Sequence, residues 1–190
     1  MIKAVIFDCF GVLTADGWKH LREELWGRDS EKLQRACDME KAVNAGFIKY
    51  DEFITEISRM SKLNESEVRR RISGASPNSL LFEYMRDSLK PRVKIGMLSN
   101  AAGDWLGDLF EPRQTELFDA TVLSYQVGAV KPELAMYQAI IDRLGVQFNE
   151  CVFVDDSEGY CASARNLGMK AIWHQDTHDT IAAIEEIINA

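Results

Sequence analysis

Five short apolar runs recur along the chain, and each is followed by a polar or amphipathic segment. The runs cover residues 2–7, 93–98, 120–123, 151–154 and 170–173. Runs of this length, rich in Val, Ile and Phe, predict strands that are buried on both faces, as in a parallel sheet. The connecting helices are predicted at residues 78–89, 133–144, 158–167 and 179–189. Because strands and helices alternate, we predict an α/β fold with a Rossmann-like parallel sheet and helices on both faces.

The segment between the first two strands has a different pattern. Strand-like runs are missing there, and apolar residues recur at helical spacing, as at Leu21 and Leu25. We therefore predict a small α-helical domain over residues 16–75. It would be inserted into an α/β core domain made of residues 1–15 and 76–190.

Composition and charge narrow the class of protein. The chain has 190 residues, 46% of them hydrophobic, and a net charge of −8. The negative charge disfavours nucleic acid or an acidic membrane surface as a partner, because both require basic patches. The four cysteines lack metal-ligand spacing, and no apolar run is long enough to span a membrane. We expect a cytoplasmic protein, and the sequence carries no signal for an oligomeric state.

The first two strands end in polar residues. Asp8 directly follows the first strand, and Ser99 and Asn100 follow the second. In open α/β sheets, ligands bind at the carboxyl ends of the strands. A buried carboxylate there favours a cation, whereas a hydroxyl and free N–H groups favour an anion. The structural alternatives are that Asp8 caps a turn and that Ser99 and Asn100 form an ordinary polar turn.

Two further polar sites follow in the second half of the chain. Lys131 stands in a loop before a helix, where a lysine is normally a solvated charge. Asp155 and Asp156 follow the fourth strand, and two adjacent carboxylates repel each other unless a cation compensates them. Mg²⁺ is the expected cation, because it prefers carboxylate, carbonyl and water oxygens. Alternatively, one of the two carboxylates caps the next helix.

The order of these residues indicates phosphoryl transfer through an aspartyl-phosphate. Asp8 would be the nucleophile, Ser99 an oxygen donor, Lys131 a fixed cation, and the two adjacent acids would be metal ligands. The carboxylate would attack phosphorus while Mg²⁺ and Lys131 offset the charge on the transferring oxygens. We therefore predict catalytic roles for Asp8, Ser99 and Lys131. Ser99 and Lys131, together with Asn100, would also bind phosphate.

The same segments resemble the haloacid dehalogenase-like (HAD) hydrolase superfamily along the whole chain. The similar segments are FDCFGVLT at 7–14, LSN at 98–100, VKPE at 130–133 and FVDDSEGYCASARNLGMKAIW at 153–173. The inserted helices resemble the small cap domain of that superfamily, and the chain resembles in particular bacterial phosphatases that act on sugar phosphates. This resemblance implies a Mg²⁺-dependent hydrolase of small phosphorylated metabolites.

One position departs from the pattern that the resemblance implies. Most such phosphatases carry a second Asp two positions after the nucleophile as general acid and base, and here that residue is Phe10. Its main-chain carbonyl can still bind a metal, so the predicted ligands are Asp8, Phe10, Asp155 and Asp156. A positioned acid or base typically contributes about 10²–10⁴-fold in rate.

Three hypotheses follow from this departure. Another group, such as Asp16 or His20, carries the proton in a phosphatase, although Asp16 also suits a helix N-cap. The protein is a non-catalytic HAD-like binding or regulatory module. It is a 2-haloacid dehalogenase, which the adjacent acids at 155 and 156 disfavour because those enzymes need no metal.

Substrate specificity is expected to come from the inserted helices, which would close over the site. Four residues lie nearest the predicted hinge and are candidate substrate-binding residues: Trp18, His20, Arg22 and Trp26. Trp105 is a further candidate. The alternative for the three tryptophans is packing in the hydrophobic core.

Overall fold

The computed structural model describes residues 1–73, 76–103 and 106–190 and contains one parallel sheet. Its strands are β1 (Ala4–Phe7), β2 (Lys94–Ser99), β3 (Ala120–Leu123), β4 (Cys151–Asp155) and β5 (Lys170–Trp173). The strand order is β3-β2-β1-β4-β5, and every neighbouring pair is parallel. The predicted α/β fold with a Rossmann-like parallel sheet is therefore confirmed.

Helices lie between the strands and at the end of the chain. Among the described residues they are α1 (Gly17–Trp26), α2 (Ser30–Asn44), α3 (Tyr50–Ser61), α4 (Glu65–Ser73), α5 (Ser79–Tyr84), α6 (Leu106–Leu109), α7 (Pro112–Thr115), α8 (Ser124–Val127), α9 (Leu134–Leu144), α10 (Glu158–Asn166) and α11 (Thr177–Asn189). A π-helical turn, Met85–Leu89, continues α5 towards β2. None of the described helices is both long and apolar enough to cross a membrane.

The central strands are buried on both faces, which explains their continuous apolar sequence. On one face, Val5 and Phe7 of β1 pack in a cluster with residues of α5 and α11. On the other face, Ala4 and Ile6 pack in a cluster with residues of α9 and α10. Successive side chains of a strand point to opposite faces, so β1 contributes to both clusters.

Helices α1 to α4, which we call the inserted helices, pack around a third hydrophobic cluster of their own. Trp18, Trp26, Phe53 and Ile57 belong to it. Helix α1 begins after Asp16, whose side chain accepts the N–H of Lys19 at 2.8 Å and so caps the helix. The predicted domain boundary near residue 75 lies outside the described residues, and the two-domain division stays a prediction.

Candidate active site

Three carboxylates meet where β1 and β4 end side by side. Phe7 pairs with Val154 in the sheet, and the N–H of Asp8 donates to the carbonyl of Val154 at 2.8 Å. This register places Asp8 beside Asp155, the last residue of β4. One carboxylate oxygen from each of Asp8, Asp155 and Asp156 lies within 4.8 Å of the others. The sheet therefore brings together acids that are far apart in sequence.

Lys131 is a buried cation that contacts this cluster. Its side chain is 1% exposed, and its Nζ lies 2.8 Å from Oδ1 of Asp8 and 2.6 Å from Oδ2 of Asp155. The main chain of Lys131 is fixed by Asn100, whose Oδ1 accepts the Lys131 N–H at 2.7 Å. The interpretation of Lys131 as a solvated charge is therefore wrong.

Burial and the neighbouring charges shift the pKa values of the ionisable groups in this cluster. Burial raises the pKa of Asp8 well above its usual range, and the Asp155 carboxylate raises it further against the opposing effect of Lys131. Burial likewise raises the pKa of Asp155. Burial alone would lower the pKa of Lys131, but the two carboxylates outweigh it and hold the pKa above its usual value. The Lys131 ammonium is thus paired with two buried carboxylates, and Asp156 adds a third negative charge.

The donor set suits a hard cation such as Mg²⁺. The available ligands are carboxylate oxygens, which Mg²⁺ prefers. Three carboxylates face two ammonium groups, those of Lys131 and Lys19, and a further cation would offset the remaining negative charge. Phe10, whose main-chain carbonyl is a predicted ligand, lines the same cavity as Asp8 and Asp156. The residues present therefore fit the predicted metal.

Gly11 brings the turn after β1 against Asp156. Its φ is +84°, and a Cβ at this position would lie 2.6 Å from Cγ and 2.7 Å from Oδ2 of Asp156. Glycine is thus required both for the backbone conformation and for the close approach to the carboxylate.

Replacing Gly11 by Ala is expected to lower the free energy of unfolding by about 1–3 kcal/mol, because a strained φ adds to the displacement of Asp156. Gly168→Ala is the matched control, since Gly168 has φ +96° and no atom within 4 Å of its added Cβ. Urea unfolding measures both losses, and calorimetric titration should show weaker Mg²⁺ binding in Gly11→Ala alone. Equal stability and equal Mg²⁺ binding in the two variants would mean that Asp156 is not displaced.

A cavity of about 650 Å³ lies between the carboxylates and the inserted helices. Its lining includes Asp8, Asn100 and Lys131 on the sheet side and Trp18 and Phe53 on the helical side. The Trp18 ring packs edge-on against Phe53, with centroids 5.0 Å apart, so Trp18 is at once a core residue and a wall of the cavity.

Three predicted site residues do not line this cavity: Asp155, which is fully buried behind it, Ser99 and His20. Ser99 ends β2 with its side chain buried, and its Oγ lies 3.5 Å from the carbonyl oxygen of Asn100. His20 is exposed and lines a smaller neighbouring cavity of about 300 Å³ together with Asp16 and His174. Neither Ser99 nor His20 contacts the main cavity, so their predicted roles stay predictions. Trp105 lies outside the described residues.

The sequence of the chain as a whole matches one family. The sequence model of the haloacid dehalogenase-like hydrolases matches residues 2–168. The chain belongs to the haloacid dehalogenase-like hydrolases. The resemblance seen in its motifs is thereby confirmed.

Individual HAD-like proteins are similar over most of the chain. Phosphatase MT3486 of Mycobacterium tuberculosis is 27% identical over 192 residues, which span 90% of this chain and 86% of that protein. A HAD-like family hydrolase from Porphyromonas gingivalis has a TM-score of 0.78 at 25% identity, covering 100% of this chain and 99% of that one. A HAD family enzyme from Bacteroides thetaiotaomicron, solved with magnesium and inorganic phosphate, shares the fold with a TM-score of 0.70 at 22% identity, covering 95% and 99% of the two chains. This HAD-like hydrolase therefore has phosphatases among its relatives and magnesium complexes among its structural neighbours.

Sequence reasoning missed several residues of this HAD-like site. Lys19 of α1 donates to Oδ2 of Asp156 at 2.8 Å. Glu40 lines the cavity and pairs with Arg22, which the sequence did indicate as a candidate pocket residue. The Tyr160 ring lies 5.2 Å from Nζ of Lys131. Each of these residues occupies an ordinary polar or aromatic helix position in the sequence, so no local signal sets it apart.

Proposed function

We propose that this protein is a magnesium-dependent phosphatase that forms an aspartyl-phosphate on Asp8. The observation that carries the proposal is the position of the Asp8 carboxylate. It lines a cavity of about 650 Å³, lies 2.8 Å from a buried lysine ammonium, and stands next to two further carboxylates. A carboxylate held in this way by a cation is oriented for nucleophilic attack.

The proposed reaction has two steps. An oxygen of Asp8 attacks the phosphorus of a phosphate ester, and the bond between phosphorus and the leaving oxygen breaks. Because Oδ1 of Asp8 accepts the N–H of Cys9 at 2.7 Å and the Lys131 ammonium at 2.8 Å, we assign the attack to Oδ2. Water then attacks the same phosphorus, which restores the Asp8 carboxylate and releases inorganic phosphate.

Asp8 and Asp156 would hold the magnesium ion, with the main-chain carbonyl of Phe10 as a further ligand. Asp155 is less available as a direct ligand, because its Oδ2 lies 2.6 Å from Nζ of Lys131 and its Oδ1 accepts the Ser157 N–H at 2.8 Å. We therefore assign Asp155 to positioning Lys131. A bound magnesium ion supplies positive charge beside the transferring phosphoryl oxygens.

The substrate we propose is a small phosphorylated metabolite such as a sugar phosphate. The cavity is large enough for an organic group of that size. On its helical side the indole N–H of Trp18 is buried beside the Glu40 carboxylate, whose pKa burial raises. A donor and a carboxylate suit the hydroxyl groups of a sugar. The inserted helices, as a cap domain over residues 16–75, would set this specificity.

A non-catalytic HAD-like binding module is the second candidate, and Phe10 is the observation that favours it. A phenyl ring transfers no proton, and this ring packs against the core cluster of the sheet. A binding module would hold metal and phosphate at the same carboxylates and Lys131 without turnover.

A phosphate-release assay distinguishes the phosphatase from the binding module. With Mg²⁺, wild-type protein is expected to release phosphate from members of a panel of sugar phosphates, nucleotides and aryl phosphates. In EDTA it should lose this activity, because the carboxylate cluster then keeps its excess negative charge. Binding of inorganic phosphate without release from any ester would instead establish the binding module. Metal-independent halide release from 2-haloacids would establish a dehalogenase.

A further inference from the structure

Lys19 brings a second ammonium group to the carboxylate cluster. It lies near the start of α1, its Nζ is 2.8 Å from Oδ2 of Asp156, and its side chain is 41% exposed. It lines the same cavity as Asp8 and Phe10. Lys131, in contrast, is buried and is shared by two carboxylates. Two of the three N–H groups of Lys131 are taken up by carboxylates, whereas Lys19 uses one and keeps two for a molecule in the cavity.

The carboxyl groups that line the cavity have other partners or lie exposed. Oδ1 of Asp16 accepts the N–H of Lys19 and caps α1, and burial raises the pKa of this carboxyl group. Glu40 pairs with Arg22. Asp108 is exposed on the short helix α6. Phe10 stands close to the nucleophile and cannot ionise. The described lining thus places a cation, the Lys19 ammonium, in direct contact with Asp156.

Lys19 has the donors that a second contact requires. An ammonium group carries three N–H donors, and the ion pair with Asp156 uses one of them. Asp156 holds the ammonium in place through this ion pair. A hydrogen bond from a charged donor to a developing oxyanion is among the stronger interactions available to an active site.

We infer, on the basis of the proposed function, that Lys19 is a catalytic residue that donates a hydrogen bond to the leaving oxygen. The site would then favour phosphates whose leaving oxygen departs as an anion. The bond between Asp8 and phosphorus forms and the bond to the leaving oxygen breaks. Its electron pair stays on that oxygen, which Lys19 stabilises and which takes its proton from solvent. Aryl phosphates, acyl phosphates, anomeric sugar phosphates and phosphoanhydrides have such leaving groups, whereas ordinary alkyl phosphates do not.

A series of aryl phosphates with phenols of increasing pKa tests the role of Lys19. Lys19→Met is expected to lower kcat by about 10- to 100-fold, because it removes a charged hydrogen bond. The loss should grow as the phenol pKa rises, since poorer leaving groups carry more charge that needs stabilising. Lys19→Arg should keep most of the activity. Lys32→Met, which removes an exposed lysine of α2, is the control and should match wild type.

A second readout separates catalysis from a purely structural role. The Mg²⁺ dissociation constant, measured by calorimetry, should not rise in Lys19→Met, because the change removes a positive charge beside the proposed ligand Asp156. A loss of equal size for every phenol, with a higher Mg²⁺ dissociation constant, would show that Lys19 acts only by positioning Asp156 and would overturn the inference. A wild-type preference for alkyl over aryl phosphates would overturn it as well. If wild type releases no phosphate from any ester, the proposed function fails, and this inference fails with it.

Discussion

Replacing Asp8 by Asn is expected to lower kcat for phosphate release by on the order of 10⁴-fold or more, because it removes the proposed nucleophile. The shape of the side chain is kept, and Lys131 retains its ion pair with Asp155 at 2.6 Å. The variant should therefore fold normally, which urea unfolding and circular dichroism check. Release of inorganic phosphate from the best ester of the panel, at saturating Mg²⁺, measures the loss.

Chemical trapping makes this prediction more specific. An acyl phosphate on Asp8 is reduced by borohydride, and mass spectrometry of the quenched wild-type protein should locate the reduced residue at position 8. Asp142→Asn, which changes an exposed aspartate of α9, is the control and should behave like wild type. Activity of Asp8→Asn close to wild type, or reduction at another carboxylate, would rule out the aspartyl-phosphate on Asp8.

The strands and their order in the chain could be predicted because the sheet is buried on both faces. Each strand then has a short, continuous apolar sequence, and the helices between the strands require parallel pairing. The differences are at the strand ends. The second and fourth strands extend to Ser99 and Asp155, one residue beyond the predicted ends at 98 and 154. Both residues pair in the sheet through their main chain, and the Asp155 side chain contacts Lys131 in the site.

The contacts within the site could not be predicted in the same way. Lys131 pairs with Asp155, 24 positions away, and Lys19 pairs with Asp156, 137 positions away. A lysine in a loop or on a helix surface is usually solvated, and nothing in its neighbouring residues reveals a distant carboxylate. Trp18 shows a related difficulty, since one side chain both packs among the inserted helices and lines the cavity. Helical spacing predicts the first role and is silent on the second.

Stability depends on the charge of Lys131. Lys131→Met is expected to lower the free energy of unfolding by about 3–5 kcal/mol near neutral pH, because Asp8 and Asp155 would then be buried together without a cation. Burial raises the pKa of both carboxyl groups in the folded state. A group with a raised folded pKa loses stabilisation as the pH rises through that pKa, so the deficit should shrink as the pH is lowered. Urea unfolding at several pH values measures it.

The double variant Asp8→Asn/Lys131→Met shows whether the unpaired carboxylates cause this loss. Of the two carboxylates that Lys131 contacts, the double variant keeps only Asp155. It should therefore be more stable than Lys131→Met alone, although an added substitution normally destabilises a protein. Saturating Mg²⁺ should also recover part of the loss, since a bound cation compensates the same charges. Lys32→Met, whose lysine is exposed, should unfold like wild type throughout. If the double variant were less stable than Lys131→Met at every pH, packing of the lysine stem rather than its charge would account for the effect.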